Sequence, residues 1–373
     1  MNRMRQLLDL LAIDVPIVLA PMAGNSTPEL IAAVSNAGGL GSYGCAMLSN
    51  EQLIEEAARI RALTNRSFNL NFFCHASPAV TAQQERVWRD KLAPYYGELG
   101  VDPNAAAPGA RRPFDEQTCE TVLAISPKIV SFHFGMPKPE LVKRLKDAGR
   151  VLISSATTSM EARRLADLGA DVIVAQGFEA GGHRGMFLSS DIATQVGTMA
   201  LVPQVVDAVS VPVIATGGIA DARGAAAAIA LGASAVQVGT AYLFCPQAKV
   251  SAPHRAALRT ARDDATVLTN MFTGRPARGI VNRFIRELGP INPAAPQFPM
   301  AANAVMPLRA EAERGGSGEF SPLWSGQAAA LAQEIDAVEL TRNLAAGVFD
   351  VLGQLGDAAR VAQQQMRHAP TPR

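Results

Sequence analysis

The chain has 373 residues, 48% hydrophobic and 18% charged, with a formal net charge of +1. This composition supplies a large buried core and gives no electrostatic case for nucleic acid or an anionic membrane as a partner. No run reaches the roughly 20 uninterrupted apolar residues a membrane helix needs, and Cys45, Cys74, Cys119 and Cys245 lie far apart with no C-x-x-C pair, as reduced structural thiols of a cytoplasmic protein do.

The N-terminal stretch RQLLDLLAIDVPIVLAPM is apolar enough to resemble a signal peptide, but Asp9 and Asp14 interrupt it. It reads as a short helix running into a first core strand. Eight short apolar runs follow one another: 15–21, 38–44, 67–73, 129–134, 150–156, 171–177, 211–218 and 234–240. Several are apolar throughout instead of alternating, the pattern of strands covered on both faces in a parallel sheet. Amphipathic stretches such as PELIAAVSNAGG, NEQLIEEAARIRALT and KPELVKRLKDAG separate them, with glycines near their C-terminal ends. Three helix-to-strand joins, DAGRVLIS, DLGADVIVA and ALGASAVQV, share one form. Eight repeated units predict a (β/α)8 barrel of the TIM type, with a doubly wound sheet as the alternative.

Two stretches break the repeat. Residues 75–114 form an insertion after the third strand, rich in Ala and Pro and carrying Trp88, Tyr95 and Tyr96. Residues 246–326 are longer and include FTGRPARGIVNRF. Both follow strand ends, so both are expected on the face where barrel enzymes bind substrates. The expected organisation is a barrel over 1–245 with its insertion, a smaller, mainly helical cap over 246–326, and a C-terminal helix within 327–373 that returns to the barrel and ends in a frayed tail. Tyr95, Tyr96 and Trp324 are cap residues whose reach into the pocket spacing alone leaves open.

The seventh and eighth runs end in IATGGI and VQVGT. In a barrel these loops are neighbours and make a common phosphate site from bare N–H groups, a helix N-terminus and here the Thr240 hydroxyl; Gly217 and Gly218 permit close backbone approach. The strand ends carry amides (Asn71, Gln176 and Gln237) instead of carboxylates, and no D-x-D, H-E-x-x-H or paired acid appears at a strand end. Cys74 and His75 are adjacent, but no second ligand pair follows, so no metal site is expected. Amides both donate and accept, which suits a heteroaromatic ring edge, and APMAG (20–24) can pack against a flat ring. Phosphate and ring together point to flavin mononucleotide; the G-x-G-x-x-G dinucleotide turn is absent.

The loop GFEAGGHRG (177–185) follows the sixth strand. Gly181 and Gly182 are expected to bring the backbone close to the ring and hold His183 above it, as a base or, when protonated, as an anion-binding group. Glu179 and Arg184 are expected to brace the loop by charge pairing. His133, in SFHFG, is a second candidate for lining the pocket, with core packing as the alternative.

These motifs resemble the nitronate monooxygenase family, formerly 2-nitropropane dioxygenase, of the class I type. PIVLAPMAG, SFHFG, GFEAGGHRG, ATGGIADARGAAAAIALGASAVQVGTAYL, TGRPARGIVNRF and FSPLWSGQ carry the resemblance over about residues 12–330. It implies an FMN barrel with contacts from Ala20, Pro21, Met22, Asn71, Gln176, Gly181, Gly217, Gly218, Gln237, Gly239 and Thr240, substrate contacts from Met22 and His133, and His183 as the catalytic residue. It implies oxidation of alkyl nitronates, propionate 3-nitronate above all, with O2 to an oxo product and nitrite, without a nicotinamide cofactor. Asn25 departs from the resemblance, since a second glycine is more usual after the AG of APMAG; this alters the pocket edge. A homodimer is the assembly to test. Two other functions compete: an NAD(P)H-dependent flavin reductase of the same superfamily (enoyl-acyl-carrier-protein or quinone reductase), and a non-oxidative phosphate-binding barrel. The second normally shows a strand-end lysine or acid for imine or enolate chemistry, and none of the eight runs ends in one.

Overall fold

The computed structural model describes residues 3–103, 105 and 111–368; the expected frayed tail beyond 368 and part of the first insertion lie outside them. The eight predicted runs all contain strands: Ile17–Leu19, Gly41–Gly44, Phe68–Phe73, Ile129–His133, Val151–Ala156, Val172–Gln176, Val213–Thr216 and Ala235–Val238. Each pairs in parallel with its neighbour in chain order, the eighth pairs with the first, and a parallel bridge between Val18 and Leu40 joins the first to the second. This is a (β/α)8 barrel. The expected doubly wound alternative falls, because an open sheet leaves its edge strands unpaired.

The predicted helices fill the crossovers: Pro28–Asn36, Asn50–Leu63, Pro139–Asp147, Ser159–Asp167 and Ala222–Ala230 among them. Their buried faces pack on the outside of the strands in one continuous core that includes Leu30, Leu53, Leu145, Leu165 and Ala225. The N-terminal stretch folds as the helix Arg3–Leu11, and its Leu7 and Leu11 pack with Val18, Leu40, Val172, Val174 and Ile214. The apolar end of the barrel interior is thus plugged by the segment that mimics a signal peptide.

The other end of the interior is polar. Asn69 and Asn71 donate to the Ser131 hydroxyl at 2.8 Å each, and Asn69 also donates to Ser42 at 3.1 Å. Side chains two residues apart on a strand share a face, so Asn69 and Asn71 both point inward and turn the barrel mouth into a hydrogen-bonding surface.

The two insertions share a core. Helix Ala82–Leu99, from the first, packs along helix Ala301–Arg314, from the second. Trp88, Tyr95 and Tyr96 join Met271, Phe284, Leu308 and Phe320 in one buried cluster. Trp88 donates its indole N–H to Ala301 O at 3.2 Å, and Tyr96 its hydroxyl to Ala304 O at 2.6 Å. A three-stranded antiparallel sheet links this region to the barrel: Thr266–Thr269, Ala277–Ile280 and the two residues Gly182–His183. The last helix, Ala337–His368, buries Leu340, Leu344 and Val348 against the barrel and is exposed from about its midpoint onward. Among the described residues no helix is long and apolar enough to cross a membrane, and none of the four cysteines is paired.

Candidate active site

One cavity opens at the C-terminal ends of the barrel strands, with ≈ 1310 Å³ of open space, its mouth included. Its wall brings together every residue singled out from the sequence for a ligand: Ala20, Pro21, Met22, Asn71, Gln176, Gly181, Gly217, Gly218, Gln237, Gly239 and Thr240, with His133 and His183. Trp324 also lines it, and so does Asn25. Tyr95 and Tyr96 do not; their hydroxyls end on Glu287 and Ala304 within the cap, which they hold together. Other lining residues are not evident from the sequence, among them Met47, Phe73, Arg111, Ser155 and Gly326. The polar layer at the strand ends was the signal for Ser155; Arg111 and Gly326 carried none, because they arrive from the insertions.

At the seventh and eighth strands the wall is backbone. The N–H groups of Gly217, Gly218, Gly239 and Thr240 form no hydrogen bond with the described residues. Gly217 sits at φ +116°, and a Cβ there would lie 2.9 Å from Thr198 Oγ1 and 3.1 Å from Ala180 N; backbone conformation and space both demand glycine. The Thr240 hydroxyl is already occupied, accepting from Gly326 N at 2.9 Å. The amides divide as well. Gln237 has no side-chain partner among the described residues, whereas Gln176 is committed to its own loop, accepting from Gly185 N at 2.7 Å and donating to His183 O at 2.9 Å.

The loop 177–185 is held from two sides. Gly182 and His183 pair with Arg278 and Ala277 of the cap sheet, and Arg184 N donates to Pro276 O at 2.9 Å. Gly182 takes φ +72° with open space where a side chain would go, whereas a Cβ on Gly181 would lie 2.6 Å from Gly326 N. Gly181 therefore exists partly for contact with the segment 325–326. The expected ion pair between Glu179 and Arg184 does not form. Glu179 accepts from the Thr198 N–H and hydroxyl at the start of helix Thr198–Ala208, where a carboxylate suits the helix terminus. Arg184 is fully buried and donates to Gln176 O, Gly177 O and Gln195 Oε1 at 2.8–2.9 Å. Burial, then the charge of Arg278, pushes its guanidinium down to about 9. The arginine braces the loop by tying its carbonyls together.

His183 stands in an aromatic enclosure. Trp324, Phe298, Phe134 and Phe73 have ring centroids 5.5, 5.3, 6.0 and 6.1 Å from its own. Its Nε2 lies 3.0 Å from Thr273 Oγ1; Nδ1 has no partner among the described residues and is not enclosed. Burial, then the charges of Arg111, His133, Arg275 and His75, hold the imidazole well below 6.5. That direction favours the neutral ring, the form a base requires. His133 is engaged at both nitrogens: Nε2 donates to His183 O at 3.1 Å, which leaves Nδ1 to accept from the Ser155 hydroxyl at 2.5 Å. Burial pushes it down to about 3. Among the described residues no cluster of His, Cys, Asp or Glu is placed to hold a metal.

Fold and site together define a barrel enzyme whose reaction cavity opens at the C-terminal rim beneath an inserted cap. The family model described as nitronate monooxygenase matches residues 4–347. A nitronate monooxygenase of Pseudomonas aeruginosa is 43% identical over 341 residues, covering 90% of this chain and 96% of its own. A crystal structure of nitroalkane oxidase from Streptomyces ansochromogenes aligns with a TM-score of 0.85 at 38% identity, covering 94% of this chain and 99% of that one. FabK from Thermotoga maritima aligns with a TM-score of 0.71 at 29% identity, covering 95% and 98%. The chain belongs to the nitronate monooxygenase family, a family of flavin-dependent oxidoreductases.

Proposed function

We propose that this protein binds FMN and oxidises alkyl nitronates, propionate 3-nitronate foremost, with O2, releasing an oxo product and nitrite. The observation that carries the reading is the pairing, in one cavity, of free backbone donors at Gly217, Gly218, Gly239 and Thr240 with a neutral histidine whose Nδ1 is open.

The residues fit FMN. Four unpaired N–H groups suit phosphate oxygens, the free Gln237 amide suits a ring edge that donates and accepts, and Ala20, Pro21 and Met22 offer flat apolar surface. When bound, the flavin supplies the redox chemistry, taking electrons from the substrate and delivering them to O2. The protein supplies position and proton handling. The Thr273 hydroxyl lies 3.5 Å from Arg275 O; directing its proton there makes His183 Nε2 the donor to Thr273 and leaves the Nδ1 lone pair toward the cavity. In that tautomer His183 removes an α-proton from a neutral nitroalkane, or accepts a hydrogen bond from the protonated nitronate. His133 and Gln176 both hold the His183 carbonyl and so set the ring's place. The aromatic enclosure keeps water from the reacting carbon.

The test is O2 uptake by flavin-loaded protein with propionate 3-nitronate and no NADH. Rapid uptake with stoichiometric nitrite is expected. The reductase is the second reading; no uptake together with steady NADH oxidation would establish it instead. A protein that stays colourless after incubation with FMN would favour the non-oxidative barrel.

A further inference from the structure

One charge on the cavity wall is unused by this scheme. Arg111 comes from the end of the first insertion, and its guanidinium has no hydrogen bond or ion pair with any described residue. It is half-buried, and no aspartate or glutamate lines the cavity to answer it. The neighbouring Arg275 is differently employed: it lies 3.9 Å over the Phe134 ring and donates to Met186 O. The Arg111 backbone lies against the His75 imidazole, which packs edge-on to Phe298 at 4.8 Å. Phe298 is in turn 5.3 Å from His183. Arg111 is thus anchored through its backbone on the same aromatic wall as the histidine, and its charge is, after burial, the first cause that holds that ring's pKa down.

A partly desolvated cation without a counter-charge is costly, and a ligand anion repays the cost. A nitronate carries one delocalised negative charge at its reacting end. A second anion on the same small molecule needs its own cation, and a guanidinium offers two parallel donors in the geometry a carboxylate accepts. We propose that Arg111 is a specificity residue that captures a carboxylate at the substrate end remote from the reacting carbon, so that carboxylated nitronates are selected over uncharged ones of the same length. This rests on the nitronate reading above.

The test compares propionate 3-nitronate with propyl 1-nitronate, in which a methyl replaces the carboxylate, in wild type, Arg111→Met and Arg111→Lys. The ratio of their kcat/KM values is expected to fall about 30-fold in Arg111→Met, the loss of a charge-assisted pair. The fall is expected in the KM of the carboxylated substrate, with partial recovery in Arg111→Lys. An unchanged ratio, whether both substrates weaken together or neither does, overturns the proposal. A calorimetric titration separates this from failure of the nitronate reading. Succinate, an inert dianion of matching length, is expected to bind the flavin-loaded wild type at least tenfold more tightly than Arg111→Met, and butyramide, which has no carboxylate, is expected not to discriminate. If wild type turns over neither nitronate, the nitronate reading has failed, and the succinate titration still decides Arg111: equal binding to both proteins overturns it.

Discussion

The two sides of the cavity are built on different principles. The rim at the seventh and eighth strands is backbone: glycines and bare N–H groups within a few residues of the strand ends that position them. The wall around His183 is side chain, assembled from Phe73, Arg111, His133, Thr273, Phe298 and Trp324, which come from six separate places in the chain. A backbone rim needs only the local turn to be right and tolerates changes elsewhere. A side-chain wall needs the barrel, both insertions and the small cap sheet to be in place together. Ligand holding and proton chemistry are thereby separable, and they should fail separately.

The largest effect expected is at the histidine. His183→Asn should retain flavin while losing at least about 10²-fold in turnover, the range of a lost general base; steady-state O2 uptake and the visible flavin spectrum measure the two. Near wild-type rates would remove His183 from the chemistry. The opposite rim should give the opposite split. Gly217→Ala places a Cβ 2.9 Å from Thr198 Oγ1 at φ +116°, a strain of about 1–3 kcal/mol, so FMN affinity should fall on the order of 10- to 100-fold. The fully loaded fraction should keep most of its turnover. Equal damage to binding and turnover in both variants would break the division between the two sides.

The pH dependence of stability sharpens it further. His75 and His254 are pushed down by burial to about 4 and His133 to about 3, with His183 also lowered. Between those values and 6.5 the unfolded chain binds more protons than the folded one, so stability falls as pH falls from about 6.5. His75, His133 and His254 should each contribute about 2 kcal/mol of loss between pH 7 and pH 5. Urea unfolding at the two pH values checks this, and in His133→Gln the pH dependence should be shallower. For neutral nitroalkanes, the lowered His183 value keeps the base in its active form across pH 6–8, so kcat should be flat there. The smallest effect is in the cap. Tyr96→Phe leaves Ala304 O without its buried donor, a loss of about 1 kcal/mol read in urea unfolding. A large change in turnover from that substitution would show that the cap sets the histidine wall more rigidly than packing implies.

The sequence by itself determined the barrel and the backbone rim, because both are short-range. Eight apolar runs of strand length, helices ending in glycine between them, and the TGG and VGT turns each act within one βα unit. It also marked GFEAGGHRG as special, since only an unusual loop needs so many glycines beside a histidine. It gave no means of pairing Glu179 or Arg184 with their true partners. Thr198 lies 19 residues from Glu179, and Arg184 satisfies carbonyls instead of an acid, a choice made by the fold of the loop. How strongly His183 is desolvated was equally hidden, for that depends on which aromatic rings close around it. Arg111 became part of the site only when the insertion carrying it folded onto the barrel mouth. The charge that faces the substrate is therefore a property of packing between segments far apart in the chain, where no local pattern can register it.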